Sequence, residues 1–543
     1  MKGKSFKSVV CILMALLLVA GTLTGCNGSS GGNASGGKEA SNGSASSGET
    51  VSLTFWSDLN AKTANTCTSY EDVAAMKKLE EILNIDITWQ HPPVGEEKEQ
   101  FNLTVASMKL PDMMYYDWLN GYAGGPEKAV ADKVILKLND SLDKAPNLKA
   151  LFDEYPDFYK QSVTDAGTLY MFPFAREICL AEENKILNCF QGPAYRKDLA
   201  DALNIAEPRT IDELYAMFKA FKAEYGDDFI PYCARALDAP NGIFAICAAY
   251  GFLSDFYLEG DTVSYGVLSP NFKAYLETMV KWYSEGLIDP DFMANDGDSF
   301  KAKITNGDAG FYIGSQGGNW VTFCKVLETT VPEANLAYMH WPAGPDGKAY
   351  SSQTAVDHIV GGSGAAITTQ NTNLDACLRY LDYGYSPEGV YLLNYGIEGD
   401  TYEVVDGKVN FTDKINDAAA EKGMDFVMGQ YAFGGISSWA TLQAIDLVSI
   451  TRTYPGQAES VYTWGDFSHD LILPPISPTV DEATKLANIM NQIKTYRDET
   501  VAKIVMGQLP ISEYDTMVAK IKEMGIDDAL AIENAALARY NDR

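Results

Sequence analysis

Aromatic rings set beside glycines and small polar residues are what this 543-residue chain offers that could do chemistry. Residues 310–320 read Gly310-Phe311-Tyr312-Ile313-Gly314-Ser315-Gln316-Gly317-Gly318-Asn319-Trp320, joining flat ring faces to a backbone free of side-chain bulk. That combination suits a sugar, whose faces carry C–H groups that stack on rings while its rim hydroxyls require donors and acceptors from Asp, Asn, Gln or Arg. With 31 Tyr and 8 Trp the rings are plentiful, but large aromatics usually go to cores. Trp282, in the helical Val280-Lys281-Trp282-Tyr283, and Trp89, on an alternating strand, are expected in the core, and Trp341 and Trp464 lean the same way. Trp118, Trp320 and Trp439 each stand beside Gly, Ser or Asn and fit a core or a stacking platform equally well.

Catalytic signatures are missing. The chain has no G-x-S-x-G, no H-E-x-x-H, no G-x-x-x-x-G-K-[ST] and no G-x-G-x-x-G after a strand. His91, His340, His358 and His469 are scattered without ligand spacing, so no metal site is expected. Asp289 with Asp291, or Asp227 with Asp228, could be the acid and base of a glycosidase, yet among 73 acids such neighbours arise by chance. The expectation is therefore a protein with no catalytic residues and no cofactor. A formal charge of −31 excludes non-specific attraction to nucleic acid or to an anionic membrane surface, both of which need a basic footprint.

These residues must be positioned by folded elements, and the opening of the chain shows which. Val51, Leu53 and Phe55 alternate as a half-buried strand; Val73, Met76, Leu79 and Leu83 share one helical stripe; Ile85, Ile87 and Trp89 alternate again. A helical stretch from Glu96 to Met108 leads to the short apolar run Met113 to Tyr116, completing β-α-β-α-β. In such sheets ligands gather at the carboxyl ends of the strands. Those ends carry Trp56, Ser57, Asp58 and Asn60 after the first strand, and Asp117, Trp118 and Asn120 after the third. Further on, the spacing predicts helices over 210–225 and 272–285 and a type I′ hairpin at Asp406-Gly407. From Thr484 onward the chain reads as helices, with Gly525 as a C-cap. No solenoid-length repeat is present, and 543 residues exceed one core, so two lobes are expected.

The first fifty residues read as an address. Lys2, Lys4 and Lys7 precede an apolar run from Val9 to Ala20, too short to span a bilayer and suited to a secretory leader. Leu23-Thr24-Gly25-Cys26 then has the form of a bacterial lipobox, with Cys26 as the acylated new N-terminus. Asn27 to Thr50 hold seven Gly and seven Ser and no aromatic residue, which makes a tether of about 25–30 Å root-mean-square reach. Loss of the three leader lysines takes the charge from −31 to −34. Of nine cysteines, seven remain besides the leader's Cys11 and the anchor Cys26. An odd number without C-x-x-C reads mostly as small buried hydrophobes, with Cys179 and Cys189 the one pair close enough in sequence to suspect of bridging.

Taken together, these features resemble the extracellular solute-binding proteins of ABC importers, family 1, and within it the long LplA-like lipoprotein receptors of Gram-positive bacteria. The likeness is carried in order by Tyr195-Arg196-Lys197-Asp198-Leu199, Pro208-Arg209-Thr210-Ile211-Asp212, Glu285-Gly286-Leu287-Ile288-Asp289-Pro290, Gly344-Pro345-Asp346-Gly347-Lys348, Tyr395-Gly396-Ile397-Glu398-Gly399 and Ala538-Arg539-Tyr540-Asn541-Asp542-Arg543. It implies an α/β periplasmic-binding-protein type II fold, two lobes with a hinge and a ligand cleft between them. Residues 1–25 would be the leader, 26–50 the lipidated Cys and tether, 51–173 and about 361–415 the first lobe, and 174–360 and about 416–543 the second. By the same match the first crossing falls at Tyr170-Met171-Phe172-Pro173-Phe174 and a return near Val360 to Ala366, and Asp58, Asp117, Trp118, Arg176, Tyr312 and Trp320 line the cleft, with Trp439 beside them. The implied function is capture of an oligosaccharide for a membrane permease by a lipid-anchored monomer on the outer face of the cell membrane. A surface-anchored glycoside hydrolase, or a receptor for another solute such as a peptide, fits the same outline. Relatives often carry a calcium loop where this chain has only Gly226-Asp227-Asp228, so calcium is not carried over. The chain's acidity disfavours a polyuronide unless a local Arg176 or Arg452 overturns it.

Overall fold

Two twisted sheets, each with its own helical cover, organise the computed structural model, which describes residues 49–180, 188–237, 241–353, 358–433 and 439–543. The leader, Cys26 and the tether as far as Gly48 lie outside the described residues. In chain order the strands are β1 Val51–Trp56, β2 Ile85–Gln90, β3 Met113–Tyr116, β4 Phe172–Arg176, β5 Gln191–Arg196, β6 Ile230–Tyr232, β7 Phe256–Glu259, β8 Thr262–Tyr265, β9 Ala309–Ser315, β10 Leu336–Tyr338, β11 Val360–Ile367, β12 Tyr402–Val405, β13 Lys408–Phe411 and β14 Leu442–Gln443. Among the described residues, six of them form one sheet in the order β14-β4-β11-β3-β1-β2 and four a second in the order β10-β5-β9-β6.

The first sheet follows from its alternating residues. β1 runs parallel to β2 and β3 and sets Leu53 and Phe55 into the core, with Leu53 opposite Ile87 and Phe55 opposite Met113. The helix Ala74–Leu83 crosses from β1 to β2 and buries Met76 and Leu79, the stripe expected from its 3.6-residue period. Asp112, just before β3, accepts from Thr54 N and Oγ1 (2.7 and 2.6 Å) and from Thr372 N and Oγ1 (2.5 and 2.7 Å). Burial pushes its carboxyl up, but these donors outweigh burial and hold it below the ordinary range, so one anion ties β1 to the chain that follows β11.

β11 runs antiparallel to both neighbours, pairing Ala366 with Met114 of β3 and Gly364 with Pro173 of β4. Gly364 admits no side chain, because a Cβ there would stand 2.6 Å from both the Met171 sulfur and the Phe172 carbonyl oxygen. β14 adds to the outer side of β4 in parallel, with Gln443 opposite Arg176. Residues 416–447, assigned to the second lobe on the sequence, depart from that boundary: Met424, Val427, Met428, Phe433, Trp439 and Leu447 all belong to the core of the six-stranded sheet. Their apolar spacing marks helices but not the core that receives them.

In the second sheet β5 is antiparallel to β10 and β9, and β6 is parallel to β9. The helix Ile211–Tyr225 opens on a Thr210–Glu213 capping box and buries Leu214, Met217, Phe218 and Phe221. Its Phe218 meets Tyr232, Phe311 and Trp282 at ring centroids of 5.9, 5.3 and 5.2 Å. The hairpin β12–β13 turns through Asp406 and Gly407 with φ of 54° and 74°, the two positive values a type I′ turn needs. Among the described residues no disulfide forms; Cys179 packs in the first core and Cys189 beside Trp464 in a separate cluster.

Three long helices close the chain, Val480–Val505, Glu513–Glu523 and Ile526–Asp542. The last of them reaches back to the first lobe. Arg543 donates to the carbonyls of Lys160 and Val163 (2.8 and 2.6 Å) and contacts the Asp165 carboxylate, which also receives Arg539 Nε at 2.7 Å. Glu533 on the same helix is 7% exposed. Burial, then the nearby Asp255, raises its carboxyl from 4.5 to about 7. An unfolded chain ionises this group near 4.5 while the folded chain keeps it protonated, so the fold loses stability as pH climbs between those values. Glu533→Gln should therefore gain on the parent by about 3 kcal/mol between pH 4.5 and 8, read from paired urea denaturation curves; a pH-independent difference would contradict the burial argument.

Candidate functional site

The candidate site lies on the edge of the six-stranded sheet where β1, β2, β3 and β4 end. Ser57 and Asp58 follow β1, and His91 follows β2. His91 Nδ1 donates to the Ser57 carbonyl at 2.8 Å while Nε2 accepts from Tyr70 N at 3.3 Å. One nitrogen donating and the other accepting defines a neutral ring, in keeping with a pKa lowered first by burial. Tyr70 in turn accepts from Asn60 N at 3.0 Å, which fixes the loop after β1. Asp58 is half-buried, and burial, then the negative charge of Glu97, raises its carboxyl above the ordinary range.

Tyr115 lies near the end of β3. Its phenol is pushed far up by burial and then feels Asp58, Tyr70, Arg176 and Asp117. Three of the residues expected in the cleft, Asp58, Asp117 and Arg176, bear on its charge, and each ends or follows a strand on the same edge of the sheet. The Tyr115 ring lies parallel to the Trp439 indole, with centroids 6.3 Å apart and planes 7° apart. Asp117 accepts from Asn120 N and Nδ2 (3.0 and 3.1 Å), which curls the loop after β3 and leaves the carboxylate half-exposed. Arg176 closes β4, donates to the His358 carbonyl at 3.3 Å and stands over the Phe174 ring at 5.2 Å.

The second sheet contributes the end of β9 and the start of β5. Ser315 N and Oγ donate to Asn319 Oδ1 (2.9 and 3.0 Å), shaping the Gly317-Gly318 turn. Gln353 Oε1 accepts from Phe190 N and Gln191 N (3.1 and 3.0 Å), joining two segments that pass between the lobes. A third such segment carries Arg452, whose guanidinium stands over Phe190 at 5.0 Å.

The large rings named from the sequence sit in the cores. Trp118 is fully buried and its indole N–H donates to the Gly364 carbonyl at 3.2 Å. Trp320 is 3% exposed, donates to Leu336 O at 2.8 Å and is edged by Tyr338, Tyr454 and Trp464. Tyr312 packs between Phe300 and Phe323, and Trp439 among Phe55, Tyr70, Trp89, Tyr115 and Phe433. The neighbouring glycines explain the burial. A Cβ on Gly192 would fall 2.2 Å from the Trp464 ring and one on Gly314 2.8 Å from Asn319 Oδ1, so these glycines admit core packing rather than a ligand.

Of the carboxylate pairs named from the sequence, Asp289 with Asp291 is held by Lys303, while Asp227 stands exposed at the surface. Asp289 is fully buried and receives Lys303 Nζ on both oxygens at 2.8 Å, with Asn295 Nδ2 at 2.7 Å. Its lone pairs are committed to that ammonium. Among the described residues no group of three or more His, Cys, Asp or Glu could hold a metal ion. Tyr115 and Tyr70 were not singled out in the sequence, and His91 was considered only as a metal ligand; the Met113-Met114-Tyr115-Tyr116 run reads as strand core, and only the strand order shows that it ends on the same edge as β1.

A family model described as bacterial extracellular solute-binding protein matches residues 74–397. The fructooligosaccharide ABC transporter substrate-binding protein FusA of Streptococcus pneumoniae serotype 4 is 24% identical over 502 residues, covering 86% of each chain. The polygalacturonan/rhamnogalacturonan-binding protein YtcQ of Bacillus subtilis is 24% identical over 463 residues, covering 83% of this chain and 85% of the other. The structure of FusA in complex with kestose superposes with a TM-score of 0.72 at 21% identity, covering 90% of this chain and 99% of that one. The alginate-binding protein AlgQ2 without calcium ion gives 0.71 at 22% identity, covering 91% and 98%. The fold is the type II periplasmic-binding-protein fold expected from the sequence.

Burial of Trp320 sets its own test. Trp320→Ala should cost about 3–5 kcal/mol of folding stability, the range for a large core ring replaced by Ala, measured by urea unfolding. A variant as stable as the parent would mean that this indole is not held in the core.

Proposed function

The chain belongs to the bacterial extracellular solute-binding proteins, and from that premise we propose that it is the substrate-binding lipoprotein of an ABC importer, capturing an oligosaccharide and delivering it to a membrane permease. The observation that carries the reading is that Asp58, Asp117 and Arg176 all stand at the carboxyl ends of strands on one edge of the six-stranded sheet, where β1, β3 and β4 finish. Carboxylates accept hydrogen bonds from sugar hydroxyls and a guanidinium donates to ring and hydroxyl oxygens, so this edge supplies both halves of a hydroxyl pattern. The oligosaccharides named in the descriptions of FusA and YtcQ support the same class of solute.

On this reading the solute enters between the lobes and closure adds contacts to the second lobe, through Ser315, Gln316 or Asn319, that the open form lacks. Trp118, Tyr312, Trp320 and Trp439 shape the walls and hold the loops that present the polar groups. No bond in the solute is made or broken. The lipid on Cys26 and the tether after it keep the receptor near its permease while leaving it free to turn, and the strong negative charge of the mature chain keeps it off anionic lipid. The points where the chain leaves β4, enters β11 and leaves β14 serve as the hinge.

Two measurements test the proposal. In a thermal-shift screen of plant and microbial oligosaccharides, a solute at 100 times its Kd should add about 2.7 kcal/mol of stability, and chromatography after long incubation should return it uncut. Shortened products would favour the surface hydrolase, and an inert response to every sugar with a shift from peptides would favour the peptide receptor. In cells, labelled palmitate should enter the protein, and Cys26→Ser should abolish labelling and release the protein to the medium; labelling that persists in the variant would place the lipid elsewhere or dismiss it.

A further inference from the structure

Among the described residues the fully buried arginines, Arg196 and Arg497, are paired, while two half-buried ones on the segments between the lobes are not. Arg196 holds Asp198 at 2.6 Å, Arg497 holds Asp498 at 2.7 Å, and Arg539 and Arg543 share Asp165. Arg176 and Arg452 have no carboxylate partner among the described residues. The groups that bear on their charge are thiols and phenols alone, Cys179 and Tyr115 for Arg176, Tyr462 and Cys189 for Arg452. Arg176 keeps one hydrogen bond, to the His358 carbonyl. Arg452 has a buried terminal nitrogen, Nη2, with no hydrogen-bond partner among the described residues.

Both arginines lie on segments that join the lobes. Arg176 ends β4 and opens the first crossing; Arg452 follows the helix Ile445–Ile450, just after β14, on the last. Each is backed by an aromatic ring, Phe174 and Phe190, at 5.2 and 5.0 Å. Those rings hold the guanidinium planes while leaving their hydrogen-bonding rims available. A partly buried cation without a counter-charge is costly, and the described residues keep two of them on the segments between the lobes.

We infer that the solute is acidic: an oligosaccharide carrying carboxylates, which pair with Arg176 and Arg452 in the cleft. The inference rests on the reading of the chain as an oligosaccharide receptor and adds the charge of the ligand to it. Planar, forked guanidinium–carboxylate pairing supplies both charge and orientation. The overall negative charge does not forbid it, because at physiological salt a repulsive field is screened over about 8 Å while a desolvated contact pair is not.

Calorimetric titration of the purified chain with oligogalacturonides of two to four residues and with sialyllactose, each beside its neutral counterpart (galacto-oligosaccharides and lactose), reads the inference directly. At least one acidic probe should bind more than tenfold tighter than its neutral counterpart, and the two acidic arms separate a uronide from a sialoside. Arg176→Gln and Arg452→Gln should each weaken that binding more than tenfold while the empty protein melts at the same temperature or higher, since an unpaired buried charge has been removed. Purely structural arginines would instead lower the melting temperature and leave affinity unchanged, which would overturn the assignment. Neutral oligosaccharides binding as well as the acidic ones would overturn the inference and leave the oligosaccharide receptor standing. If no oligosaccharide of either kind binds, while peptides do, both fall together.

Discussion

β11 runs antiparallel between β3 and β4, so its first residue, Val360, lies on the same edge as the last residues of those neighbours. A strand inserted in that sense has to be entered from the edge where β4 was left. The chain departs at Arg176, builds all four strands of the second sheet, and re-enters at Val360. β14, parallel to β4, ends on that edge too and sends the chain out once more after Gln443. Every passage between the two cores is therefore confined to one side of the first sheet, the side where parallel strands leave their carboxyl ends and their loops. The crossings and the candidate site share that edge, with Arg176 common to both, so on the proposed reading a rotation about the crossings alters the site without breaking a strand pair in either sheet.

Charge is distributed unevenly over this frame. Away from the crossings, buried ions are matched: Asp289 by Lys303, Arg497 by Asp498, and Asp165 by the two arginines of the last helix. Breaking such a pair leaves an uncompensated charge and typically costs 3–5 kcal/mol, so these clusters hold their helices in one place. The edge of the first sheet differs. Asp58 is held above its ordinary pKa and Arg176 below its own, each first by burial. Groups that the protein desolvates without fully pairing are poised for a partner that arrives from outside.

The opening β-α-β-α-β was legible because its two periodicities are clean: Leu53 and Phe55 repeat every second residue, Met76 and Leu79 every third or fourth. Asp406-Gly407 was legible because few dipeptides accept two positive φ values. Asp58, Asp117 and Arg176 were reachable because strand ends follow from strand order. Two things were not. The helices Asp413–Lys422 and Met424–Met428 carry an apolar pattern that fits either core, and only the pairing of β14 with β4 assigns them. The glycines around Trp118 and Trp320 suggested room for a ligand, whereas the space at Gly121 is taken by Tyr116 and the Asp117 carbonyl, at Gly310 by Phe221 and Phe229, and at Gly314 by Asn319 and Asn241. A glycine shows that something approaches closely, and the sequence does not say what.

That the rings are spent on the cores changes what kind of selectivity the edge can have. A stacking platform is tolerant, since most pyranose faces offer similar C–H groups, and each ring contributes only about 0.5–1.5 kcal/mol beyond its buried area. A site of desolvated carboxylates and guanidiniums is intolerant, because a solute that fails to satisfy one of them leaves a buried polar group unpaired, at about 1–3 kcal/mol and more when the group is charged. On the proposed reading, with Asp58 and Asp117 on one loop edge and Arg176 and Arg452 on the crossings, the penalty for the wrong solute falls on the segments that move when the lobes close. The proposal thereby couples recognition to closure through the same groups: a solute that neutralises them would stabilise the closed arrangement, and one that does not would meet the full cost of closing over an unpaired charge.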